Sequence, residues 1–101
     1  MSELLSNQIE FTSMIAKLIC FAYSKGYGLT FGDAWAKTGH KNNSNHYIRL
    51  AVDFNLFKDG VWLSSTDDHK ELGEYWESIG GCWGGRFGDG NHYSKEYRGM
   101  K

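Results

Sequence analysis

Two pairs of histidine and aspartate residues carry side chains that can hold a metal ion or move protons. His46 precedes Asp53 by seven residues, and Asp89 precedes His92 by three. A catalytic zinc ion typically takes three protein ligands from histidine and carboxylate side chains and keeps one position for water. Two imidazoles and one carboxylate leave the ion with a net positive charge, which can lower the pKa of that water to about 7. A second carboxylate beside the water can then act as a general base.

The spacing within each pair restricts how the backbone can bring the side chains together. Seven is odd, so an uninterrupted strand would direct His46 and Asp53 to opposite faces of a sheet. They can share a metal only if His46 lies in a loop before the strand, and the polar run there allows this. The two residues between Asp89 and His92 let both side chains converge. Because the chain has no His-Glu-x-x-His helix, composition and spacing alone favour the interpretation that His46 and His92 are ordinary surface histidines.

The hydrophobic pattern predicts two helices. Apolar residues recur at spacings of three and four over residues 3–25, which is typical of one amphipathic helix. A second pattern of this kind follows Ser65 and Thr66, which are both good helix N-caps. Gly80 and Gly81 are expected to end this second helix.

A strand and a hairpin are predicted between the helices. Apolar and polar residues alternate over residues 49–56, so one face should meet the core while the other carries Asp53. Asp59 and Gly60 then predict a tight turn, and residues 61–63 form the return strand.

Three further segments are less regular. Residues 29–36 are predicted to form a short strand or a turn, and residues 37–46 a polar loop. Residues 81–94 are dense in glycine, which permits the close backbone approach that a metal ligand needs. Trp83 lies among these glycines and is therefore the tryptophan best placed to contact a ligand.

Composition excludes several classes of protein. The 101 residues predict a single domain, residues 1–101, with one core. A net charge of −1 argues against a nucleic-acid partner, which normally needs a basic patch. Cys20 and Cys82 form no C-x-x-C pair, and Cys20 is predicted to be buried within an apolar run. No apolar stretch is long enough to span a membrane, and no secretory signal is visible, so we expect cytoplasmic synthesis.

Two runs of sequence resemble the zinc D-Ala-D-Ala carboxypeptidase and L-alanyl-D-glutamate endopeptidase family, which includes many phage endolysins. Residues 44–53 resemble its Ser-x-His-x-x-x-x-Ala-x-Asp motif. Residues 83–93 resemble its second motif, in which a Trp-Gly-Gly segment precedes an acid, two residues, a histidine and an aromatic residue. Residues 72–80 resemble the helix that joins the two motifs. The resemblance covers roughly residues 29–94.

The resemblance implies a fold and a site. The implied fold is α+β, with a small antiparallel sheet and hairpin packed against two main helices, and with the zinc site at the sheet face. This agrees with the elements predicted above. One zinc ion would be held by His46, Asp53 and His92, and Asp89 corresponds to the catalytic carboxylate. The substrate site would be shaped by Ser44 and Arg49, and Trp83 joins them as a candidate for substrate contact.

The implied activity is that of a zinc metallopeptidase acting on peptidoglycan stem peptides. The sequence does not choose between the L-Ala-D-Glu and the D-Ala-D-Ala bond. As a phage or prophage endolysin, the protein would be a monomer that acts on the cell wall after release. Neither a nucleic-acid partner nor membrane insertion is expected.

An alternative function follows from two departures from the family pattern. Residues 32–35 are followed by Ala36, where relatives carry an arginine, and only residues 37–43 stand in place of a longer stretch. The chain could therefore be a non-catalytic, zinc-stabilised module for wall binding or interaction. A closed site that includes His40 or His69 would favour this alternative. We expect neither to be a ligand, and we expect His69 to be exposed.

Overall fold

The computed structural model, in the part of the chain that it describes, contains two helices and five strands. The helices are α1, Glu3–Ser24, and α2, Lys70–Ser78. The strands are β1 Gly28–Phe31, β2 Ala51–Lys58, β3 Val61–Leu63, β4 Cys82–Trp83 and β5 His92–Ser94. Short 3-10 helices cover Asp67–His69, before α2, and Gly84–Phe87, after β4.

The structure describes residues 1–35, 39 and 44–101. Most of the predicted polar loop over residues 37–46 lies outside the described residues, as do Ala36 and His40. No helix in the described part of the chain is long and apolar enough to cross a membrane.

All strand pairs of the sheet are antiparallel, and β2 is the strand on which the others assemble. The order is β1-β2-β5-β4, and β3 also pairs with β2. The N-terminal half of β2 pairs with β5, and its C-terminal half pairs with β1 and β3. The α+β prediction, with a small antiparallel sheet beside two helices, is confirmed.

Helix α1 packs an apolar stripe against this sheet. Its N-terminus is capped by Ser2, whose Oγ accepts a hydrogen bond of 3.0 Å from the amide of Leu5. The helix ends where Gly26 takes a φ of 87°, which a residue with a Cβ rarely adopts. The buried stripe consists of Phe11, Met14, Ile15, Leu18 and Ala22.

The predicted hairpin is present, but the strand before it starts later than the pattern indicated. Asp59 and Gly60 have φ of 52° and 76°, and two positive φ values are typical of the tight turn that matches strand twist. The alternation pattern placed the strand start at residue 49. Arg49 instead has a φ of 59°, a left-handed conformation that extended strands exclude, so β2 begins at Ala51.

The start of the second helical segment shows that Ser65 is its cap. The Ser65 Oγ accepts from the Asp68 amide, and Asp68 Oδ2 accepts from the Ser65 amide, both at 3.1 Å. Thr66 is already helical and caps nothing. Its Oγ1 instead accepts a hydrogen bond of 3.2 Å from the amide of Gly90, which ties the helix to the glycine-rich segment.

Two predictions about burial were wrong. His69 is buried, because its 3-10 helix directs the ring towards β5, where Nδ1 lies 2.7 Å from the hydroxyl of Tyr93. Cys20 is exposed, because it lies outside the helix stripe that meets the core. Cys20 and Cys82 are both free thiols.

The buried His69 leads to a pH-dependent stability. Burial lowers the pKa of this imidazole, and the nearby Asp68 opposes the shift to a smaller extent. Below about pH 6.5 the unfolded chain therefore binds more protons than the folded one, so the free energy of unfolding falls as pH decreases. We expect a lower urea midpoint at pH 5.5 than at pH 7.5, and a smaller difference in His69→Gln. An unchanged difference in the variant would contradict this assignment.

Candidate metal centre

The turn before β2 places His46 beside the strand rather than on it. The amide of Leu50 donates to the carbonyl of Asn45 at 2.9 Å, which closes a turn over residues 45–49. Arg49 adopts its left-handed conformation at the end of this turn, where the chain enters β2. The sequence required His46 to lie before the strand if it was to meet Asp53, and the structure confirms that position.

This turn is held by contacts that the sequence did not indicate. The side-chain amide of Asn45 donates to the carbonyls of Lys95 and Met100, each at 3.0 Å. The side-chain amide of Gln8, on α1, donates to the carbonyl of Ile48 at 2.9 Å. Each bond joins residues at least 40 positions apart, so no local pattern could have revealed it.

Asp53 and His92 face each other across β2 and β5. They are directly opposite in the register, and the amide of Asp53 donates away from β5, to the carbonyl of Asp33 at 2.7 Å. The two residues therefore form a non-hydrogen-bonded pair, in which antiparallel side chains approach most closely. Sheet register thus brings together two residues that are 39 positions apart.

A compact turn in the glycine-rich segment positions His92 at the start of β5. The amide of Asp89 donates to the carbonyl of Gly84 at 2.9 Å, and the amide of His92 donates to the carbonyl of Asp89 at 3.1 Å. A Cβ at residue 84 would overlap the Asp89 carbonyl oxygen and would lie 2.7 Å from the Cβ of His92. Glycine is needed at this position because the two backbone segments touch.

The three predicted ligands converge on one oxygen atom. His46 Nε2 lies 3.3 Å from Asp53 Oδ1, and His92 Nδ1 lies 3.2 Å from the same atom. Both imidazoles are buried, and Asp53 is half-buried. Burial alone would raise the pKa of Asp53, but hydrogen bonds from His46 and His92 outweigh it and lower that pKa to about 2. The carboxylate is therefore ionised at neutral pH.

This donor set fits a zinc ion. Ligand atoms bound tetrahedrally to one zinc ion at about 2.0–2.1 Å lie about 3.3 Å apart, close to the two separations found here. The three candidate ligand atoms all lie within 4.8 Å of one another.

No fourth ligand joins the cluster from residues 1–35, 39 and 44–101. His69, the alternative ligand within this part of the chain, is instead bonded to Tyr93. Three protein ligands with one position left for water are typical of catalytic rather than structural zinc sites.

The remaining predicted site residues occupy different environments. Asp89 is exposed, and its backbone is fixed by the turn that carries His92. Ser44 is buried, and its Oγ accepts from the amide of His46 at 3.2 Å, so it supports the ligand turn. Arg49 is exposed, with its guanidinium carbon 4.8 Å from the ring centre of Trp35.

Trp83 lies in the core rather than at an open surface. Its exposed fraction is 3%, which leaves a ligand almost no ring surface to contact. Its Nε1 donates to the carbonyl of Gly90 at 2.8 Å, and its ring packs where Gly73 and Gly85 leave no room for a Cβ. The side chain therefore anchors the glycine-rich segment against α2.

A methyl group at residue 84 should disturb the metal centre. Gly84→Ala forces the Asp89 carbonyl and His92 apart, and overpacking of this kind typically costs about 1–3 kcal/mol. We expect a lower unfolding midpoint and weaker zinc binding, measured by urea denaturation and by competition with a chromogenic chelator. Gly28→Ala is the matched control, because nothing lies within 4 Å of a Cβ there. Equal behaviour of the two variants would contradict the role of Gly84.

Comparison with known proteins agrees with the geometry. A family model described as D-alanyl-D-alanine carboxypeptidase matches residues 37–95, which is more than half of the chain and includes all three clustered residues and Asp89. No match to the chain is found among curated proteins.

Proposed function

The chain belongs to the D-alanyl-D-alanine carboxypeptidase family, and on this premise we propose that it is a zinc peptidase of peptidoglycan stem peptides. The observation that carries the proposal is the convergence of His46, Asp53 and His92 on one point, with donor separations of 3.2 and 3.3 Å. A family match alone does not show that the three candidate ligands lie close together in this chain. Their proximity in the structure supports a functional metal site.

The site residues divide the chemistry between them. His46, Asp53 and His92 would hold the metal, and zinc held there supplies a positive charge that polarises the scissile carbonyl and acidifies water. Asp89 is the general base: its carboxylate removes a proton from the attacking water and later passes it to the leaving amine. Backbone hydrogen bonds to Gly84 and His92 fix the main chain of Asp89 relative to the ligand His92.

Arg49 is the candidate for substrate recognition. Its exposed guanidinium follows His46 by three residues and rests on Trp35, a contact that restrains the side chain without neutralising its charge. Arginine binds carboxylates through two parallel hydrogen bonds. Both candidate bonds, L-Ala-D-Glu and D-Ala-D-Ala, lie beside a free carboxylate, so Arg49 suits either substrate. Ser44 contributes by holding the His46 turn.

We place this activity in a phage or prophage endolysin that acts as a monomer on the cell wall after release. The proposal rests on the resemblance of the two motifs to those of the family.

A digestion experiment tests the proposal. Purified peptidoglycan is incubated with zinc-loaded protein, with chelated protein, and with chelated protein to which zinc is returned, and the released ends are identified by mass spectrometry. We expect new ends only in the two samples that contain zinc, and their identity reveals the bond. Folded protein that holds one zinc ion and sediments with the wall without cutting it would instead indicate the non-catalytic module.

A further inference from the structure

One face of the sheet points away from the helices, and the metal centre lies on it. Along β2, the buried side chains of Val52, Phe54 and Leu56 belong to the core with α1 and α2. The alternating side chains of Asp53, Asn55 and Phe57 lie on the opposite face, which we call the outer face.

Strand register extends the outer face beyond the metal centre. Residues directly opposite in an antiparallel pair share a face, so His92 joins Asp53, Thr30 joins Asn55, and Trp62 joins Phe57. A hydrogen bond of 3.2 Å from the Asn55 amide to the Thr30 hydroxyl confirms the middle pair. The outer face therefore runs from the metal ligands, through two polar groups, to an indole ring.

The far end of this face is open. Trp62 is 62% exposed, although it is the kind of side chain that gains most from burial. On the other side of β2, the residue opposite Phe57 is Gly28, and nothing lies within 4 Å of a Cβ built there. No side chain from Gly28 therefore covers the surface beside the rings of Phe57 and Trp62, and this surface is accessible on the β1 side.

We propose that the outer face binds the substrate chain along its length, with Trp62 as a distal subsite. From Asp53 to Phe57 is four residues of strand, or roughly 13 Å, which is also the length of about four residues of extended peptide. A stem peptide cut at the metal centre would thus reach Trp62, with Asn55 and Thr30 available to its amide groups. This inference rests on the proposed function and adds that the enzyme selects long stem peptides over dipeptides.

Cleavage kinetics test the proposal. The substrates are a stem pentapeptide and the two dipeptides that it contains, L-Ala-D-Glu and D-Ala-D-Ala. Trp62→Ala should lower kcat/KM for the pentapeptide about tenfold, the loss expected when an apolar contact of this size is removed, and should leave the dipeptides unaffected. Trp62→Phe should recover most of the loss.

Val61→Ala is the matched control. Val61 is adjacent to Trp62 and 58% exposed, but it points to the opposite face of the hairpin, so this change should not affect either class of substrate. Equal losses in Val61→Ala and Trp62→Ala, or equal losses for long and short substrates, would overturn the proposal.

A binding measurement separates this inference from the proposed activity. The pentapeptide is titrated into chelated protein, and its affinity is compared between the wild type and Trp62→Ala. Binding that weakens in the variant supports the distal subsite even if no peptide is cut, whereas absence of cleavage with every substrate counts against the peptidase itself. If the pentapeptide is cleaved but its affinity is unchanged in Trp62→Ala, the distal subsite is rejected and the proposed peptidase activity is supported.

Discussion

Replacing Asp53 with alanine should abolish both zinc binding and peptide hydrolysis. Its Oδ1 is the atom on which His46 and His92 converge, and it is the only anionic member of the cluster in the described part of the chain. Loss of a partner outside the ligand shell typically costs 10–100-fold in metal affinity, so loss of a ligand should cost at least about 100-fold. Competition with a chelator of known affinity measures the first effect, and pentapeptide cleavage measures the second.

Thermal denaturation gives an independent measure of zinc binding by the wild type and by Asp53→Ala. If zinc binds the folded protein as proposed, it should raise the Tm of the wild type and have little effect on Asp53→Ala. Asp67→Ala is the control, because Asp67 is an exposed carboxylate outside the metal cluster. If Asp53→Ala still bound one zinc ion with wild-type affinity, this cluster would not be the metal site.

Replacing Asp89 with asparagine should separate catalysis from metal binding. The variant keeps the size of the side chain and the turn-forming character of the residue, so His92 should remain in place. It loses the proposed proton acceptor, and removal of a general base typically lowers turnover by about 10²–10⁴-fold. We therefore expect kcat to fall in this range while zinc affinity and Tm remain those of the wild type.

The chain contains a matched control for this substitution. Asp59 is also an exposed aspartate followed by glycine, and Asn-Gly suits its hairpin turn as well as Asp-Gly does. Asp59→Asn should retain full activity. Full activity in Asp89→Asn would remove this carboxylate from the mechanism, whereas loss of zinc in that variant would assign it a structural role.

Sequence patterns were sufficient where short-range physics decides the structure. Helix α1 follows from an apolar stripe at helical spacing, and the hairpin follows from Asp59 and Gly60. For the candidate site, the two motifs selected His46, Asp53 and His92, and the odd spacing already required His46 to precede the strand. The helix and hairpin predictions succeed because helix periodicity, strand alternation and turn conformation depend on neighbouring residues, whereas the choice of ligands rests on the family resemblance.

Features that depend on distant contacts were decided only by the tertiary structure. His69 was expected at the surface and is buried because it meets Tyr93, which is 24 positions away. The side chain of Asn45 holds the His46 turn through two carbonyls near the C-terminus, and nothing in its surroundings in the sequence signals this.

The candidate metal centre depends both on local sequence patterns and on distant contacts. The sequence determined which side chains were available and where strand β2 would present Asp53. Only the tertiary structure placed β5 beside β2 in the register that sets His92 opposite Asp53, because strand pairing across 39 residues depends on burial of the shared apolar face and not on local preference.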